Sequence, residues 1–199
     1  MKPVERGEVM GLADYEAIRD RFRARVIEEK KARRVKLGDQ ASCIFENHDT
    51  VLMQIQEMLR TERITREAAV LHEIATYNEL IPGAHELSAT ALIEIEDKDV
   101  RDRFMSGAAG LDKTFFLEVD GERCPGKHDE SRFDPNRTTA VHYLKFVLGE
   151  KAEAALRDVL TKKRKPAEVP MSLGVDHPYY RAIASLPPAL VSSLAEDFA

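Results

Sequence analysis

The sequence predicts an α+β fold: a mostly antiparallel sheet with an antiparallel helical hairpin and further helices packed on it. Three observations carry this reading. Val51, Leu52, Ile55, Met58 and Leu59 recur at helical spacing, and a second helical segment follows almost at once and stops at Pro82-Gly83. Residues 138–148 alternate, with Ala140, His142, Leu144, Phe146 and Leu148 on one face of a strand. Short β-prone runs flank Gly38-Asp39, which marks a hairpin turn.

Taken in order, Leu12 to about Ala32 reads as a long charged helix capped by Asp14, with Tyr15, Ile18, Phe22 and Val26 on one face. Residues 33–37 and 41–45 are the two hairpin strands. Asn47 or Asp49 caps the first helix of the hairpin, and Thr65 caps the second, with Ile64 preceding it as a hydrophobic staple. Strands are then expected at 87–95, 114–119 and 138–148, with a last one at 169–175. A short helix falls near 99–106 and another over 150–160, and a C-terminal helical region is broken at Pro187-Pro188. Residues 122–137 are polar, contain two prolines and a glycine, and read as a long loop of the kind that is often functional. The expected organisation is an N-terminal helical extension over 1–32 and one α+β domain over 33–199.

Charge and composition narrow the function classes. A formal net charge of -5 argues against a general nucleic-acid binder, which would present a basic face. No run approaches the roughly 20 apolar residues that span a bilayer. The polar start Met1-Lys2-Pro3-Val4-Glu5-Arg6 lacks the apolar centre of a secretory signal, so the cytoplasm is the expected compartment. Cys43 and Cys124 are the only cysteines and are expected as free thiols. Homo-oligomerisation stays open.

The candidate chemistry lies on the helical hairpin and the best strand. Glu57 lies beside the apolar stripe of the first helix. On the second, Asn78 shares a line with Ile74, and Glu73 and Tyr77 run along its edge. Two readings stand: a polar pocket between the hairpin and the sheet, using Glu57, Glu73, Tyr77, Asn78 and His142, or an interhelical hydrogen-bond network. Arg33 and Arg34, with Arg132 and Arg137 of the long loop, are candidates for binding an anion or a partner carboxylate. No metal or cofactor is expected. Glu-x-x-His pairs are absent, and the pairs Cys43/His48 and Cys124/His128 are loosely spaced for zinc. Nucleotide-binding glycine loops and the Gly-x-Ser-x-Gly and His-Glu-x-x-His motifs are also missing.

The strings Phe45-Glu46-Asn47, Gln54-Ile55-Gln56-Glu57-Met58, Glu62-Arg63-Ile64 and Tyr77-Asn78-Glu79-Leu80-Ile81-Pro82, followed by Ala140-Val141-His142-Tyr143, resemble a bacterial family of uncharacterised proteins, DUF3501. The likeness covers most of residues 12–150. It implies, through genes that often lie beside the family's own, a non-catalytic accessory role near rubrerythrin-like proteins and iron–sulfur oxidoreductases. It names no catalytic residue. A partner of that kind would dock on Arg33, Arg34 and the 122–137 loop.

Overall fold

The computed structural model describes residues 1–128 and 134–199. Among these residues, eight strands run β1 (Arg34–Leu37), β2 (Ala41–Phe45), β3 (Glu86–Ile93), β4 (Phe115–Val119), β5 (Glu122–Lys127), β6 (Val141–Val147), β7 (Met171–Asp176) and β8 (Arg181–Ser185). Six helices accompany them: α1 (Leu12–Ala32), α2 (His48–Thr61), α3 (Glu67–Asn78), α4 (Lys98–Gly107), α5 (Glu150–Leu160) and α6 (Pro188–Glu196). The strands form one sheet in the order β1-β2-β3-β6-β5-β4-β7-β8, with every neighbouring pair antiparallel.

The class is therefore mixed α+β, as the periodicities predicted, but the sheet curls into a near-barrel instead of lying open. Tyr180 joins its two edges, because its hydroxyl donates to the carbonyl of Leu37 while accepting from the Gln40 N–H at 3.3 Å. Gly38, in the β1–β2 turn at φ +68°, leaves the space this hydroxyl occupies.

Alternation along each strand splits the molecule into two cores. Inward-facing Phe45, Leu87, Leu117, Leu144, Phe146 and Leu173 fill the barrel. Phe104 of α4, Leu156 of α5 and Leu194 of α6 join that same cluster. The outward face of β6 meets a second core, in which Val51, Ile55, Val70 and Ile74 of the helical hairpin pack with Val4 and Val9, and Tyr143 lies against them. Helices thus serve both cores. The N-terminal stretch expected as an extension contributes Val4, Val9, Tyr15 and Val26 to the buried set.

Two strands escape the sequence reading. β5 falls in the segment expected as a loop, because Pro125 and Gly126 obscure any alternation. β8 is an edge strand that leaves Ile183 65% exposed and has no continuous apolar run to announce it. At the C-terminus, Pro188 is the first residue of α6, so the proline pair starts a helix where a break was expected. Helix α2 is capped as predicted by Asn47, whose side chain accepts from the Thr50 N–H at 3.0 Å. Helix α1 has Gly11 at its N-cap, ahead of Asp14, and α3 follows Arg66 without a side-chain cap.

A buried polar seam ties the N- and C-terminal halves together. Arg33, only 1% exposed, donates through Nε to the Phe45 carbonyl at 2.9 Å. Its Nη2 donates to Asp197 Oδ2 at 2.6 Å and its Nη1 to Ser193 Oγ at 2.9 Å. Nearby, Glu46 accepts from the hydroxyls of Thr50 at 2.5 Å and Thr90 at 2.6 Å, joining α2 to β3.

Candidate functional site

The helical hairpin does not cover the whole outer face of the sheet. Between α3 and strands β3, β6 and β5 it leaves a cavity of about 510 Å³. Glu73, Thr76, Tyr77 and Leu80 line the helix wall. The strand wall follows from alternation: Tyr143 and Lys145 point outward because Leu144 and Phe146 point into the barrel. Register then sets a polar row across three strands, with Ser88 of β3 opposite Lys145 of β6, and Lys145 opposite Lys127 of β5.

Lys145 Nζ donates to Glu86 Oε1 at 2.6 Å and to the Ile81 carbonyl at 3.2 Å, and the Gly83 N–H donates to the same Glu86 oxygen at 2.8 Å. Burial works against the Glu86 charge. The contacts with Lys145 and the Gly83 N–H, with Lys127 nearby, outweigh it and hold the carboxyl below its ordinary range. Lys127 forms no ion pair among the described residues. Tyr77 has its phenol pushed up by burial first, and then by Tyr143 and Glu73.

At the end of β5, His128 also lines the cavity and places Nε2 3.2 Å from Asp112 Oδ2. Asp112 belongs to a single 3₁₀ turn, Leu111–Thr114, that precedes β4. His142 sits behind, facing the barrel, with Nε2 3.3 Å from Thr138 Oγ1 and its ring centroid 5.8 Å from that of Phe115. Burial lowers its affinity for a proton.

Of the five pocket residues proposed from sequence, Glu73 and Tyr77 line this cavity. Glu57 instead faces α1, where it accepts from Tyr15 Oη at 2.7 Å and from Arg19 Nε at 2.8 Å and Nη2 at 2.9 Å. Asn78 binds a backbone peptide: its Oδ1 accepts from the Val4 N–H at 2.8 Å and its Nδ2 donates to the Val4 carbonyl at 3.0 Å. Gln56 repeats the pattern, taking the Met10 N–H at 2.6 Å. The network reading therefore fits Glu57 and Asn78, while His142 packs inside the barrel.

Among the arginines, Arg33 is buried on Asp197 and presents nothing to an outside partner. Arg34 pairs with Glu94 at 2.7 Å and Arg137 with Asp102 at 2.9 Å, both partly exposed. Arg132 lies outside the described residues. Cys43 and Cys124 are free and buried, and burial pushes the Cys43 thiol up to about 12. His48 bonds Glu8 and Asp49, away from the barrel core that holds Cys43. Among the described residues no group of three or more His, Cys, Asp or Glu side chains forms a metal-binding cluster.

Sequence reasoning weighed His128 only as a zinc ligand and missed Lys127, Tyr143 and Lys145. The last two were recoverable as the outward face of the strand whose inward face it identified. Lys127 and His128 were not, because the strand that carries Lys127 to its place opposite Lys145, and His128 just beyond it, is hidden by Pro125 and Gly126.

The Asn78 contacts carry a direct prediction. Replacing Asn78 with alanine removes both hydrogen bonds to Val4 and leaves a partly buried peptide unpaired. The expected loss is about 1–3 kcal/mol in urea denaturation, together with faster proteolysis within residues 1–10. Unchanged protection of that segment would contradict the tether.

A family model described as a protein of unknown function, DUF3501, matches residues 3–198. A crystal structure of a protein of unknown function from Burkholderia pseudomallei K96243 is similar over 100% of both chains, at 33% identity and a TM-score of 0.88. No curated protein matches this chain.

Proposed function

Because the chain belongs to the DUF3501 family of proteins of unknown function, its role rests on its own residues, and we propose that it binds a small organic acid between α3 and the β3–β6–β5 face. One observation carries the reading: Lys127 stands directly opposite Lys145 at the cavity wall. Like charges in cross-strand register destabilise a sheet, and Glu86 offsets only Lys145 directly. An anionic group seated between the two ammonium groups relieves that repulsion.

The cavity volume falls in the range of ligand sites. Tyr77 and Tyr143 offer flat apolar surface for the body of such a molecule. Glu73 and Glu79 on the α3 side favour ligands that carry their acid at one end only. The two buried thiols fit the reducing cytoplasm expected from sequence. The accessory docking role gains less support, because Arg33 is internal and residues 122–127 belong to a strand.

Calorimetric titration with a set of aromatic and aliphatic carboxylates tests the proposal. Wild-type protein should bind at least one of them, and Lys127→Glu should weaken that affinity about 10- to 100-fold, the value of one charge-assisted hydrogen bond. Equal affinity in the two proteins would refute the anion subsite.

A further inference from the structure

We propose that the acid bound in this cavity carries a protonated amine at its far end, held by Glu73, Tyr77 and Tyr143. The inference rests on the organic-acid reading above and names the ligand class: an amino acid whose two charges stand well apart.

The run of α3 along β6 separates the two ends of the cavity. Lys145 reaches the Ile81 carbonyl, just beyond the end of α3, at 3.2 Å. One turn back along the chain, Tyr77 lies near Tyr143, which raises its phenol together with Glu73 once burial has acted. Tyr143 precedes Lys145 by two residues on the same outward face of β6. Moving from Ile81 to Tyr77 on the helix side therefore matches moving from Lys145 to Tyr143 on the strand. Glu73 continues in that direction, one further helical turn from the lysines. Lys127 stands opposite Lys145 and so belongs to the other end.

The two ends differ in chemistry. At the lysine end Glu86 is paired with Lys145, and Lys127 is left for the ligand's carboxylate. At the other end Glu73 is half-buried and makes no hydrogen bond or ion pair among the described residues. Its neighbours are the two phenol rings. A carboxylate beside aromatic rings holds an ammonium group both by direct charge and by the attraction of a cation to the ring face. A simple acid seated on the lysines leaves Glu73 covered and without a counter-charge, which costs free energy. A ligand with a charge at each end answers both. Two strand residues span about 7 Å, and the amine must stand roughly that far from the acid. An α-amino acid, with both groups on one carbon, is too short to join the two ends.

The probes are para-(aminomethyl)benzoate and para-ethylbenzoate, which share a shape and differ in carrying an ammonium or a methyl group across the ring from the carboxylate. Each is titrated calorimetrically into wild-type protein and into Glu73→Gln. Wild-type protein should bind the amine at least about 10-fold more tightly than its ethyl counterpart. Glu73→Gln should bring the two affinities within about 2-fold of each other. It should also bind the ethyl compound at least as tightly as wild-type protein does, because the substitution removes a carboxylate that repels an acid. Equal binding of the two compounds by wild-type protein, a preference that survives Glu73→Gln, or a variant that weakens both compounds alike overturns the amine subsite and leaves the acid site standing. Binding of other carboxylates but of neither benzoate overturns the amine subsite in the same way. Binding of no carboxylate at all removes the organic-acid reading together with this inference.

Discussion

Arg33→Met should cost the fold about 3–5 kcal/mol, the penalty for leaving one member of a buried ion pair without its partner. The substitution keeps an unbranched side chain of comparable length, so the loss reports the guanidinium contacts and not a gross change in packing. Asp197, Ser193 and the carbonyls of Phe45 and Glu46 lose their donor together. These contacts join the start of the sheet to α6, so hydrogen exchange should accelerate at both sites. A loss under about 1 kcal/mol in urea denaturation would mean that the pair is replaceable by apolar packing, as some buried pairs are.

The same pair gives the fold a pH dependence of definite sign. Burial raises the Asp197 carboxyl from 3.8 to about 6 despite the opposing effect of Arg33. The folded state therefore holds this proton more tightly than the unfolded chain does. The resulting contribution is fully present below about pH 4 and is lost as pH rises through about 6. Carbon-detected NMR titration of the Asp197 carboxyl in folded protein should give a midpoint well above that of an exposed aspartate. A midpoint below 3.8 would show that the Arg33 contact outweighs burial.

Gly38→Ala is the second substitution with a large expected effect. A Cβ at this position would stand 2.5 Å from the Tyr180 hydroxyl oxygen and 3.2 Å from the Ala182 Cβ. The backbone is also left-handed there, at φ +68°. Left-handed strain of roughly 1–2 kcal/mol and overpacking of about 1–3 kcal/mol add to an expected loss of about 2–5 kcal/mol. The damage should concentrate where the sheet edges meet, with faster amide exchange in β1 and β8 and little change in β3 and β6. Tyr180→Phe keeps the ring and removes the hydroxyl, and should cost only about 1 kcal/mol. Equal losses in the two variants would deny that close packing at Gly38 holds the edges together.

Elements with a strong local period were legible from sequence, and those defined by partners were not. Helices α2 and α3 announced themselves through Val51, Ile55 and Leu59 and through the stop at Pro82-Gly83. Strand β6 was visible because it alternates between a filled barrel and a partly covered outer face. Closure of the sheet depends on Tyr180 reaching a turn that begins at Gly38, a contact between distant parts of the chain that no local pattern encodes. The site divided in the same way. Tyr77 and Glu73 were found because they share a helix edge. Asn78 and Glu57 stood out in the sequence as polar groups beside apolar positions, but their partners are Val4 and α1, which the sequence does not place. Arg33 looked like a surface cation because it lies in a charged stretch, and only the arrival of Asp197 from the far end of the chain makes burial affordable.

A small organic acid is proposed to occupy the cavity between α3 and the β3–β6–β5 face. The most direct test is a backbone and tyrosine-ring NMR map of wild-type protein titrated with phenylpyruvate. Saturable shifts should gather on Tyr77, Lys127, Tyr143 and Lys145, with the barrel interior around Leu117 and Phe146 silent. Shifts that fail to saturate at millimolar ligand, or that gather on the outer face around Phe116 and Ile183, would contradict it.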